Sequence, residues 1–104
     1  MIQEESIEGT YVGFTPFELH DGKAWIVGTF QHVENRICVS NADCEGRLKD
    51  FMDYLVMKFK TNRILVYNVL SSNWHLREFE RCVMTDPIFN EDVLCLQGDW
   101  EINS

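Results

Sequence analysis

The chain has little positive charge: nine Lys and Arg face seventeen Asp and Glu, a formal net charge of −8. A field of that sign repels phosphates, which excludes direct binding of DNA or RNA by charge neutralisation and disfavours anionic membrane surfaces. Apolar runs of membrane-spanning length are missing as well. So is the positively charged, then apolar, opening of a secretory leader: residues 1–9 are acidic. No C-x-x-C pair occurs. Cys38, Cys44, Cys82 and Cys95 match no common zinc spacing, and His20, His32 and His75 are scattered. Reduced core thiols are the expectation, in a cytoplasmic protein without structural metal. Only two prolines interrupt the chain, and neither a linker nor a repeat nor a low-complexity segment breaks it.

What is present suffices for one domain over residues 1–104, a length too short for two. Residues 10–14 and 17–19 are rich in β-branched and aromatic side chains and read as strand, with Thr15 and Pro16 as a break between them. Asp21-Gly22 between apolar runs predicts a type I′ hairpin turn. The return strand covers residues 24–30, and a turn at Glu34-Asn35 leads to a short strand at 36–39. Ser40, with Asp43 three residues on, reads as a capped helix start. Leu48, Phe51, Met52, Leu55 and Phe59 then recur as one apolar stripe, with Asn62 as a left-handed stop.

Residues 64–70 (ILVYNVL) form a nearly continuous apolar run, the pattern of a strand buried on both faces. Leu76, Phe79 and Val83 predict a second helix over residues 74–84, after the loop Ser71-Ser72-Asn73. Asp86-Pro87 ends it, and residues 93–100 make the last strand. The expected fold is therefore α/β (α+β): a mixed, mostly antiparallel sheet of five to six strands with two helices, in the order β-β-β-α-β-α-β.

This order, and the stretch 64–83 in particular, resembles the GCN5-related N-acetyltransferase family in a short form that lacks its N-terminal helices, as some phage-encoded members do. The helix opening with Asn73 and continuing through Leu76, Phe79 and Glu80 carries the likeness. So does Gly46, aligned with the central glycine of the family's [RQ]-x-x-G-x-[GA] turn, where this chain reads Asp43-Cys44-Glu45-Gly46-Arg47-Leu48. The resemblance implies an acyl-CoA N-acyltransferase fold using acetyl-CoA or another acyl-CoA. Backbone amides at Cys44, Glu45, Gly46 and Arg47 would hold the pyrophosphate at a helix N-terminus, and Asn73 would orient the cofactor's linker. Glu80 stands where the family often places a tyrosine acid, and Tyr67 on the buried strand is the other catalytic candidate. Glu18, Glu34 and His32 are candidate bases by location alone. A V-shaped opening is expected between residues 36–39 and 64–70.

A second reading needs no cofactor. The acidic surface of a small viral or accessory protein would engage a basic protein partner, with binding that weakens steeply with salt. The chain would act as a monomer or homodimer, the latter through Trp100 and the C-terminal strand.

Overall fold

A computed structural model describes residues 1–7, 12–67, 79–85 and 90–102. They form a seven-stranded sheet and one α-helix in the order β1 (Gln3–Glu4), β2 (Phe14–Asp21), β3 (Ala24–Gln31), β4 (Arg36–Asp43), α1 (Leu48–Phe59), β5 (Arg63–Tyr67), β6 (Glu80–Thr85) and β7 (Asp92–Asp99). Across the sheet the strands run β1-β2-β3-β4-β5-β7-β6. Every neighbouring pair is antiparallel except β4 and β5, which are parallel and joined through α1.

The expected two-helix arrangement with five to six strands is thereby corrected: the described residues form a predominantly β structure with one helix and seven strands. Residues 80–84, expected in the second helix, are strand. Cys82 and Met84 alternate onto one face of the sheet, the face of Cys95 and Val93, so a period of two wins over the helical spacing of Leu76, Phe79 and Val83. Residues 68–78, which hold Asn73, His75 and the rest of that expected helix, lie outside the described residues, as do 86–89.

Four local expectations also change. β2 runs unbroken through Pro16, which pairs with Thr29, because β1 reaches only Leu19 and His20 and asks no ladder bond of Pro16 on its outer side. The hairpin loop is Gly22-Lys23 with positive φ at Gly22 alone, a type II′ pattern rather than I′. β4 continues to Asp43, so the helix does not start at Ser40; Arg47 is its N-cap and contributes no side-chain cap. Lys60, not Asn62, takes the left-handed C-cap (φ 57°) and its N–H bonds the Val56 carbonyl.

The apolar stripe of α1 does what its spacing predicts. Leu48, Phe51, Met52, Leu55 and Val56 are buried against Phe17, Leu19, Ile26, Ile37, Val39 and Ile64 from one face of the sheet. Phe59 closes this core by stacking on Phe30, ring centroids 4.7 Å apart. Trp100 seals its far end: its indole N–H donates to Asp53 at 2.8 Å, and Lys49 bonds the other oxygen of the same carboxylate at 2.7 Å. Trp100 is thus buried inside the chain, and β7 lies between β5 and β6 in the sheet. The opposite face carries a smaller cluster of Cys38, Leu65 and Cys95, with Tyr67, Cys82, Met84 and Val93 around it. No helix among the described residues is long and apolar enough to cross a membrane.

Candidate functional site

The parallel β4–β5 pairing covers Ile37, Cys38 and Val39 against Ile64, Leu65 and Val66. One step further, Tyr67 is still strand and pairs with Cys95 of β7, but it pairs with no described residue of β4. β4 runs on through residues 40–43 beside β3, exposed to solvent. Among the described residues the β4–β5 pairing ends at this point, here called the fork, and residues 68–70 of the expected opening lie outside the described residues.

The fork coincides with a β-bulge. Gly28 pairs with Val39 and Val27 with Asn41, so Ser40 is the extra residue that belongs to no pair. Bulges bend a strand and re-aim its backbone groups. Gly28 makes this one possible: a Cβ there would sit 2.0 Å from the Cys38 carbonyl oxygen. A glycine at the centre of an otherwise good strand is the signal in the sequence that marks the position.

Beyond β4 the chain makes a tight turn over residues 44–47. The Arg47 N–H donates to the Cys44 carbonyl at 2.7 Å, and Glu45 (φ 46°) and Gly46 (φ 83°) both have positive φ, the type I′ pattern. The turn delivers the chain into α1, whose first-turn amides have no intrahelical acceptor by construction. Of the expected phosphate cradle, Cys44, Glu45, Gly46 and Arg47 therefore do stand together at a helix N-terminus, as a turn rather than as part of the helix. Its electrostatics are mixed. Asp43 and Glu45 are exposed at its rim. A carboxylate about 6 Å from a phosphate costs about 1–3 kcal/mol. The Arg47 guanidinium is already taken, bonding Asp21 at 2.5 Å, and the Met1 α-amino group bonds the other Asp21 oxygen at 3.0 Å. That amine and Arg47 hold the Asp21 carboxyl below the usual range. Burial and the neighbouring Asp43 push the Cys44 thiol up to about 11, so it is no nucleophile at neutral pH.

Tyr67 sits at the fork on the face away from α1. Burial, with the nearby Cys38 and Cys95, raises its hydroxyl to about 12. A phenol that far above an ordinary thiol (about 8.5) is a hydrogen-bond donor, not an efficient acid toward a departing thiolate. Glu80 is placed elsewhere. It opens β6, which β7 and β5 separate from β4, and it lines a shallow depression with Arg36, Arg63, Gln97 and Asp99. The structure therefore does not bring Glu80 to Tyr67 or to the turn. Glu18 contacts His20 at 3.2 Å, His32 bonds the Thr15 hydroxyl at 2.8 Å, and Glu34 lies in the β3–β4 turn, so these three are apart from the fork as well. Asn73 lies outside the described residues. Sequence reasoning missed Ser40 as the bulge and Asp21 as the anchor of Arg47.

Among the described residues no group of three or more His, Cys, Asp or Glu side chains is arranged to hold a metal ion. Comparison with protein-family models, curated proteins and solved structures finds no match to this chain.

Proposed function

We propose that the chain is an acyl-CoA-binding protein of the N-acyltransferase type, short and degenerate, with its ligand laid along the outer edge of β4. The observation that carries this reading is the fork. Among the described residues the β4–β5 ladder ends at Val39 and Val66 while β4 continues to Asp43, and strand backbone of that kind bonds an amide-rich chain such as pantetheine. The turn 44–47 and the first-turn amides of α1 follow at once, where a pyrophosphate gains from the helix dipole. In catalysis the amides beside Ser40 would polarise the thioester carbonyl, and the Tyr67 hydroxyl would donate a hydrogen bond to the sulfur. Calorimetric titration with acetyl-CoA tests it: heat in the micromolar to low-millimolar range is expected, and none at millimolar ligand overturns the reading.

A second reading has its own observation. Asp43 and Glu45 crowd the turn while Arg47 is neutralised by Asp21, which suits a basic protein partner better than a phosphate. An interaction module of this kind captures its partner at low salt and loses it at high salt; capture insensitive to salt contradicts it.

A further inference from the structure

Cys82 of β6 and Cys95 of β7 stand directly opposite each other in an antiparallel ladder, so both thiols leave the same face of the sheet. Opposed Cα atoms in such a ladder are about 4.5 or 5.5 Å apart, depending on the type of pair. Both values fall within the roughly 4.4–6.8 Å that a disulfide spans. Cys82 packs against the buried cluster that holds Cys95. Cys38 lies across β5 from Cys95, two strand spacings or about 10 Å away, and Cys44 lies in the turn before α1. Neither competes for the pair.

We infer that Cys82 and Cys95 form a reversible dithiol–disulfide site, oxidised by small-molecule disulfides of the glutathione class. The two thiols differ in access. Cys82 is half-buried, whereas Cys95 is fully buried against Leu65, Tyr67, Met84 and Val93. Cys82 therefore meets the reagent first. Its thiolate attacks one sulfur of oxidised glutathione; a mixed disulfide forms and one glutathione leaves as thiolate. Cys95 then gives its proton to solvent and attacks the Cys82 sulfur, and the second glutathione leaves. The chain loses two protons and two electrons, and one glutathione disulfide becomes two glutathione thiols. The product ties β6, which among the described residues pairs with β7 alone, to the body of the sheet.

The test is incubation of the whole chain with oxidised glutathione, followed by acid quenching and peptide mapping without reduction. The expected result is a single crosslinked species joining the peptides of Cys82 and Cys95, lighter by two hydrogens and restored by dithiothreitol. Cys44→Ser leaves its yield unchanged, and Cys82→Ser abolishes it. Overturning results are a crosslink through Cys38 or Cys44, a mixed disulfide at Cys82 that never closes, or a chain that remains fully reduced.

Discussion

The two faces of the sheet are built differently. The face under α1 is filled by large aliphatic and aromatic side chains and sealed by Trp100. The other carries three of the four cysteines, a tyrosine and a small set of aliphatic residues. The first is where the stability resides. The second is where polar, polarisable side chains gather beside the fork, and where chemistry is tolerated without loss of the core.

The largest expected effect breaks the first face. Phe51→Ala empties the centre of the α1 core and should cost about 3–5 kcal/mol in chemical denaturation, whereas Met84→Ala on the other face, only half-buried, should cost about 1 kcal/mol. Equal losses would erase the contrast. Next comes Gly28→Ala. With 2.0 Å between its Cβ and the Cys38 carbonyl, backbone must move, and a loss of about 2 kcal/mol or more is expected together with loss of the bulge. Trp100→Phe keeps the ring but removes the bond to Asp53, a loss of about 2 kcal/mol.

The smaller effects sharpen the picture at the turn. Asp21 is held below its unfolded value, near 3.8. Its contribution to stability is therefore complete above that pH and disappears as the pH falls through the lower, folded value. Asp21→Asn should flatten that part of the acid limb of a stability–pH curve. Glu45→Asn relieves a positive-φ residue that is neither glycine nor asparagine, and should raise stability by roughly 0.5 kcal/mol in the same denaturation assay.

Much of the first face was legible in the sequence and less of the second. The stripe from Leu48 to Phe59 has one period and one interpretation, and residues 64–67 are apolar without alternation, so the helix and the central strand follow directly. Residues 80–84 carry two superposed periods. Val83 fits a helix with Leu76 and Phe79, Cys82 and Met84 fit a strand, and only pairing with β7 decides between them. Ser40 and Asp43 satisfy a capping rule locally, yet β3 offers Trp25, Ile26 and Val27 as ladder partners, and tertiary pairing outweighs the cap. β1 could not be foreseen, because two exposed polar residues carry no pattern. Of the site, Gly46 and its neighbours were named through a resemblance, and the structure places them in the turn before α1. The fork rests on where the described pairing of β4 with β5 ends, a relation between distant strands that no local pattern encodes.

The most direct measurement is amide chemical-shift mapping on isotope-labelled protein titrated with acetyl-CoA. The expected shifts centre on residues 39–43 and 45–50, with a weaker response at Tyr67. Shifts confined to the depression between Arg36 and Arg63, or none at millimolar acetyl-CoA, would contradict a ligand site at the fork.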